Sequence, residues 1–364
     1  MRWIVHGVMF VALAAGVFGL LPRLGGLAHD AAALRHARPA FVGVAIAAQA
    51  ASLGSYALLY RRVLASLGAR VRFRLAVRVT MASFLVSHLT PFGSAAGALV
   101  NVSALEADGV AAFTSGEAIG LTSLVSTVAL VTLFGAGSAV TAGRHLSRSY
   151  LMVAGIAFAL VVSVLAVALL VGAHPGIAER AGRRMAGLAR HVRPGIDPGK
   201  VAQTSKRLAS LARSALTGRA LAESVGFASA DLLLDLLSLD LMFAAFRYQP
   251  GFGPLAVAYA AANIASAIPI TPGGLGVIEV TLVAVTVGFG APRPTAVLAV
   301  LGYRIVNYWL PLLPGAVAYS RLRLRPKAAD RRSPRSFSWM IRSRQLSLHW
   351  SQMLACFGEL RVHW

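Results

Sequence analysis

The sequence predicts an all-α, polytopic helical membrane protein with about six full transmembrane helices and two broken helical hairpins. Of its 364 residues, 57% are hydrophobic and only 13% are charged. The apolar residues form runs close to the ~20 residues that a helix needs to cross a bilayer. Two of these runs are interrupted by proline and glycine, at residues 89–94 and 270–276.

The apolar runs define the elements in chain order. Residues 3–21 form a run that is too long for the core of a cleavable signal peptide, so we predict a retained first span. Further full spans are predicted at residues 41–60, 111–140, 150–173, 221–246 and 294–319. The broken segments are 75–105 and 252–290. Residues 1–323 therefore form one transmembrane domain with a basic loop at 174–220, and we expect the basic tail at 324–364 to be disordered.

The basic residues predict the orientation. The chain carries 35 Lys and Arg against 13 Asp and Glu, a net charge of +22. This excess lies in the loops and the tail, where it indicates contact with the inner leaflet of the cell membrane rather than with nucleic acid. Because basic loops stay inside, we place the loops at 61–74 and 174–220 and both termini in the cytoplasm.

The two broken segments then have opposite entrances. Counting spans between cytoplasmic loops requires 75–105 to enter and leave on the cytoplasmic side and 252–290 on the external side. Their arms run roughly 14 to 18 residues, short of the ~20 that a crossing needs. We therefore predict two re-entrant hairpins in an inverted arrangement with tips near the midplane, although two complete crossings in each segment satisfy the same count.

Six of the ionisable side chains within the apolar segments are candidates for a functional role. They are Glu117, Asp231, Asp235, Asp240, Glu279 and Arg304. A charge at the bilayer centre costs on the order of 2.5–3.5 kcal/mol, so such side chains face a cavity or a partner. Asp231 and Asp235 share one helix face, and Asp240 lies about 140° further round. We predict that Arg304 pairs with Glu279 or Asp235, and we assign gating or coupling to Glu117, Asp231, Asp235 and Asp240. A buried ion pair that only fixes the bundle is the alternative.

The second break has the features of a phosphate site. Gly273, Gly274 and Gly276 let the backbone turn and approach a ligand closely, and a helix starting near Leu275 would point its positive end at the ligand. A tight packing turn without a ligand is the alternative. The predicted substrate-binding residues are Pro91, Gly93, Thr271, Pro272, Gly273, Gly274, Gly276, Glu279, Arg304 and Asn307.

The stretch 263–319 carries a recognisable pattern, with Pro-Gly-Gly-Leu-Gly-Val-Ile-Glu at 272–279 and Gly-Tyr-Arg at 302–304. It resembles the transmembrane domain shared by lysylphosphatidylglycerol synthases and flippase-like integral membrane proteins of the UPF0104 type, over residues 1–323. The family usually has a charged Gly-Glu and basic sequence after its first proline, where this chain has Phe-Gly-Ser-Ala-Ala-Gly at 92–97. The resemblance implies binding or translocation of an anionic phospholipid or a polyprenyl-phosphate-linked headgroup between leaflets. We expect the soluble aminoacyl-transferase domain of the full synthases to be absent.

Signatures of soluble enzymes are absent from the sequence. There is no His-x-x-x-His spacing, P-loop or dinucleotide fingerprint, and Cys356 is the single cysteine. We therefore expect no cofactor, no metal and no enzymatic activity. Two alternatives stay open: a membrane-embedded transferase that uses Asp231, Asp235 and His88 as acid-base groups, and a non-transporting scaffold for an envelope-enzyme partner.

Overall fold

A computed structural model of the protein describes residues 38–90, 93–142, 218–266 and 271–323, together with isolated residues between 176 and 206. The predicted spans at 3–21 and 150–173 lie outside the described residues. So do Pro91, most of the basic loop at 174–220 and the tail at 324–364.

The described residues fold into α-helices joined by short turns, and no β-strand occurs among them. In chain order the helices are α1 (Pro39–Ser66), α2 (Phe73–Leu89), α3 (Gly93–Glu106), α4 (Ala112–Ala142), α5 (Gly218–Ala245), α6 (Phe252–Ser266), α7 (Val277–Gly288), α8 (Arg293–Arg304) and α9 (Leu310–Arg323). A 3₁₀ turn (Pro272–Gly274) precedes α7, and a π-helical turn (Ile305–Trp309) joins α8 to α9. Over these residues the all-α fold class is confirmed.

Three helices of the described part are long and apolar enough to cross a membrane. They are Pro39–Ser66, Ala112–Thr141 and the continuous Arg293–Leu322, with 28, 30 and 30 residues. They coincide, within one residue at the start of the second, with the spans predicted at 41–60, 111–140 and 294–319 or extend beyond them. Helix α5 coincides with the span predicted at 221–246 and is also 28 residues long, but acidic side chains are spread along it. The total of six spans stays a prediction.

Each broken segment is a pair of short helices packed against each other. Helices α2 and α3 pack around the first break, and α6 and α7 pack around the second. These helices have 17, 14, 15 and 12 residues. At 1.5 Å per residue they measure about 18 to 26 Å, less than the ~30 Å of a hydrocarbon core.

Glycine allows the first pair to pack closely. A Cβ added at Gly93 would overlap the carbonyl oxygen of Ser87, and one added at Gly97 would overlap the hydroxyl of the same serine. The Ser83 hydroxyl donates a hydrogen bond of 2.9 Å to the Gly97 carbonyl. The two arms of this hairpin therefore approach each other closely along the α2–α3 interface.

Helix α5 is the centre of the bundle. It runs antiparallel to α1, since the Arg38 N–H donates to the Ala245 carbonyl at one end and Arg62 pairs with Glu223 at 2.6 Å at the other. It also packs against α4, α6 and α8, while α9 packs against α2. The second hairpin and the last helix thus pack against α5 through α6 and α8.

The π-helical turn has a local cause. Pro311 has no backbone N–H and its ring disfavours the regular helix one turn earlier, at Asn307. The backbone widens there into the turn Ile305–Trp309. This turn lies between α8 and α9, and it presents Asn307 and Tyr308 beside Arg304.

Candidate functional site

A cavity of about 580 Å³ lies where the broken ends of the two hairpins meet α5, α8 and the π-helical turn. That volume falls within the range of small-molecule sites, roughly 300–1,000 Å³. Its polar lining comes from Ser87, His88, Thr90, Ser94, Asp235, Tyr259, Asn263, Ser266, Thr271, Tyr303, Arg304 and Asn307.

Arg304 is the cation of this cavity and its side chain is only 5% exposed. Its Nε donates to Glu279 Oε1 at 2.6 Å, and its Nη2 donates to the Gly273 carbonyl at 3.3 Å. Its Nη1 approaches Asn307 Oδ1 at 3.5 Å, and the guanidinium lies 4.7 Å from the centre of the Tyr308 ring. Of the two partners predicted for Arg304, the ion pair therefore forms with Glu279.

Glu279 accepts a hydrogen bond from the backbone as well as from Arg304. Its second oxygen, Oε2, accepts a 2.6 Å hydrogen bond from the Gly276 N–H at the start of α7. A carboxylate in the first turn of a helix stabilises the positive end of the helix dipole. The sequence predicted a phosphate contact at the start of α7, but in the structure the Glu279 carboxylate occupies that position. Arg304 is therefore the group in the cavity that can attract an anion.

The turn before α7 depends on glycine. Gly273 and Gly274 have φ of 59° and 67°, and Gly276 has φ of 85°, in the left-handed region that other residues rarely adopt. A Cβ at Gly273 would also overlap the Tyr308 ring. The turn therefore places the Gly273 carbonyl next to Arg304 and packs the second hairpin against the last helix.

Asp235 faces the same cavity from α5 and is held by neutral donors. Its Oδ2 accepts from the Tyr259 hydroxyl at 2.7 Å. Its Oδ1 accepts from the Tyr303 hydroxyl at 3.0 Å and from Asn307 Nδ2 at 2.8 Å. Asn307 thus lies between Asp235 and Arg304 and contacts both charged groups.

The other predicted coupling residues lie away from the cavity lining. Asp231, one turn before Asp235, accepts a 2.6 Å hydrogen bond from the Ser52 hydroxyl of α1. Glu117 is buried in α4 and Asp240 is half-buried in α5. The gating or coupling assigned to these three side chains stays a prediction.

The first hairpin reaches the site through His88. The His88 carbonyl accepts a 2.9 Å hydrogen bond from the Tyr308 hydroxyl. The imidazole ring of His88 stacks on the Phe84 ring with their centres 3.8 Å apart, and His88 Nδ1 is 2.8 Å from the Phe84 carbonyl oxygen. Tyr308 therefore links the tip of the first hairpin to the turn of the second.

The predicted substrate-binding residues converge in the structure. Gly93, Thr271, Gly273, Gly274, Arg304 and Asn307 line the cavity. Gly276 and Glu279 lie directly behind the turn, and Pro272 begins it. Pro91 lies outside the described residues.

Sequence reasoning missed the three tyrosines, Tyr259, Tyr303 and Tyr308. A usable signal was present, because Tyr259 precedes Asn263 and Tyr303 precedes Asn307 by four residues on otherwise apolar helices. Such pairs place two polar groups on one helix face.

Comparison with known proteins identifies the family. Residues 7–315 match the family described as the lysylphosphatidylglycerol synthase TM region. The chain belongs to that family. A UPF0104 membrane protein of Methanothermobacter thermautotrophicus is 32% identical over 85 residues, which is 23% of this chain and 25% of the relative. The aligned stretch thus spans a quarter of that relative's length. Membership and the apolar helices together identify a membrane-embedded protein of a family named for the lysylphosphatidylglycerol synthases.

In this lysylphosphatidylglycerol synthase TM-region protein, the cavity is equipped to hold an anion. Arginine has five N–H donors, and the contacts with Glu279, Gly273 and Asn307 use three of them. Two donors stay available to a ligand. Within the described residues, no three His, Cys, Asp or Glu side chains come together as metal ligands.

Proposed function

We propose that this protein binds the headgroup of an anionic phospholipid or of a polyprenyl-phosphate-linked lipid in the cavity between its hairpins, and moves it between leaflets by alternating access. The observation that carries the proposal is the buried Arg304, which faces a polar cavity formed by both broken helices. A phosphate oxygen accepts charge-assisted hydrogen bonds from arginine, which are stronger than neutral ones.

The lining suits a phosphate ester. The hydroxyls of Ser87 and Ser94 in the first hairpin supply neutral donors to the cavity. The Thr271 hydroxyl of the second hairpin donates to the Leu275 carbonyl at 2.8 Å and would exchange that bond for one to the headgroup. A headgroup bound there would draw the two hairpins together, since each contributes part of its hydrogen-bonding shell. We propose that this shared binding is what couples headgroup occupancy to rearrangement of the hairpins.

We propose that both hairpins are re-entrant and that they enter from opposite faces of the cell membrane, with both termini cytoplasmic. The 12- to 17-residue arms are too short to cross the hydrocarbon core. Irregular backbone at membrane depth is tolerated where it lines a polar cavity, and both breaks border this one. The arginines of the 61–74 loop supply the orientation.

The test measures lipid exchange in proteoliposomes that contain the purified full chain and acyl-labelled fluorescent phosphatidylglycerol. Arg304→Ala removes the phosphate-binding charge, and Gly274→Leu adds a side chain where φ is 67°. We expect both variants to lose exchange. Arg247→Ala, at an exposed arginine in the turn after α5, is the control that should keep it.

Three outcomes would contradict the proposal. Exchange that is unchanged in both variants would refute the role of the cavity. A covalently altered lipid, detected by mass spectrometry, would favour the transferase alternative, in which Asp231, Asp235 and His88 are acid-base groups. Co-purification with an envelope enzyme, together with no exchange in the wild-type chain, would favour the scaffold.

A further inference from the structure

We propose that Asp235 takes up one proton for each headgroup that binds, so that headgroup and proton cross the membrane together. This coupling rests on the proposed function, because it requires an anionic headgroup at Arg304.

Arg304, the single arginine or lysine among the described residues that line the site, is already paired. Among the described residues, Arg304 forms its ion pair with Glu279, and no salt bridge reaches Asp231 or Asp235. Their hydrogen-bond donors are neutral hydroxyl and amide groups. Two unpaired carboxylates at membrane depth are costly, and such groups are typical of proton-carrying sites in transporters.

The two carboxylates cannot both be charged without repulsion. Four residues apart on one helix, they lie on adjacent turns of the same face. Interacting acids of this kind gain and lose protons as a coupled pair. We infer that the empty site holds one proton on this pair.

The surroundings decide which member carries the charge. Asp235 accepts three hydrogen bonds and lies close to Arg304, whereas Asp231 accepts one hydrogen bond, from Ser52. Hydrogen bonds donated to a carboxylate favour its charged form. We infer that, before a headgroup binds, Asp235 is the anion and Asp231 the protonated acid, because the three hydrogen bonds and Arg304 offset the burial of the Asp235 carboxylate.

The remaining titratable groups around the pair are few. Tyr56 of α1, Tyr259 of α6 and Tyr303 of α8 are tyrosines, which stay neutral near pH 7. His88 lines the far side of the cavity, on the first hairpin. From α4, the only titratable side chain is Glu117, which does not line the cavity.

A bound phosphate changes the balance at Asp235. The phosphate brings a negative charge next to Arg304. Asn307 contacts both Arg304 and the Asp235 carboxylate, so this charge lies close to Asp235 as well. The anionic form of Asp235 is then disfavoured, and it takes up a proton from water in the cavity. The proton leaves again when the headgroup is released on the opposite side, so one proton accompanies each headgroup.

The first test counts protons at equilibrium. The full chain in detergent is titrated with dihexanoyl phosphatidylglycerol near pH 7 by calorimetry, in buffers of different ionisation enthalpy. The phosphodiester keeps its single charge there, so proton uptake reports on the protein. We expect about one proton taken up per headgroup bound, close to zero in Asp235→Asn, and the wild-type value in Glu106→Gln, which changes an exposed carboxylate at the end of α3.

The second test imposes a pH difference on proteoliposomes. For one proton per headgroup, a difference of one pH unit shifts the equilibrium leaflet ratio of labelled phosphatidylglycerol about tenfold toward the alkaline side. Exchange that proceeds with a leaflet ratio independent of the gradient, or binding without proton uptake, would overturn the coupling and leave the proposed function intact. Loss of both binding and exchange in the wild-type chain would overturn both.

Discussion

Replacing Glu279 by glutamine removes the charge that pairs with Arg304 while keeping an amide oxygen that can accept the Gly276 N–H. The Arg304 and Glu279 side chains are 5% and 15% exposed, so water screens the pair poorly. Two unit charges ~4 Å apart attract each other by about 4 kcal/mol at an effective dielectric constant of 20.

Removing one partner of a buried ion pair typically costs about 3–5 kcal/mol, because the other charge is left buried. We expect E279Q to lose about 3 kcal/mol of unfolding free energy, at the lower end, since glutamine still offers Arg304 a neutral acceptor. The double variant R304M/E279Q carries neither charge and should lie within about 1 kcal/mol of the wild type.

The assay is equilibrium unfolding of the purified full chain in mixed micelles, followed by circular dichroism, for wild type, both single variants and the double variant. The double-mutant cycle isolates the coupling energy of the pair, which we expect at roughly 5 kcal/mol, because each single variant should lose about 3 kcal/mol and the double variant at most about 1 kcal/mol. A coupling energy within about 0.5 kcal/mol of zero would show that the two side chains do not form a buried ion pair.

Three further substitutions test the contacts around the cavity. Gly273→Ala should reduce stability more than Gly290→Ala, because both glycines have positive φ but only at Gly273 would a Cβ overlap the Tyr308 ring; equal melting temperatures would contradict this packing. Gly93→Ala should lower the unfolding free energy by more than about 1–3 kcal/mol, the usual cost of overpacking, because a Cβ there would overlap Ser87. Gly54→Ala, in the middle of α1, should be neutral or stabilising, because a Cβ there would meet no atom within 4 Å. Tyr308→Phe should cost about 1 kcal/mol by removing its hydrogen bond to the first hairpin, and an unchanged stability would argue against that contact.

The parts of the fold that were predictable depend on local sequence. Run length predicted the spans that correspond to α1, α4 and the last helix, because a bilayer fixes how many apolar residues a span needs. The two breaks were visible because a proline with glycine close behind it disfavours a continuous helix. The partner of Arg304 could be narrowed to two candidates because few charges lie within the apolar segments.

The parts that were missed depend on packing between distant segments. Tyr308 meets His88 across 220 positions in the chain, and no local pattern links them. The neutral donors around Asp235 come from α6, α8 and the π-helical turn, so their convergence requires the three-dimensional arrangement. That Glu279 bonds the Gly276 N–H at the start of α7 was readable in principle, because an acid three residues after a helix N-cap is typical of a capping box.

The central claim is that Arg304 holds a lipid phosphate, and lipid mass spectrometry on the purified protein tests it most directly. The informative comparison is between the wild type and R304M/E279Q, because the double variant should stay folded without the cation. We predict that the wild type retains an anionic phospholipid or a polyprenyl-phosphate-linked lipid through detergent washing and that the double variant does not. Equal retention of that lipid by both proteins would contradict the claim.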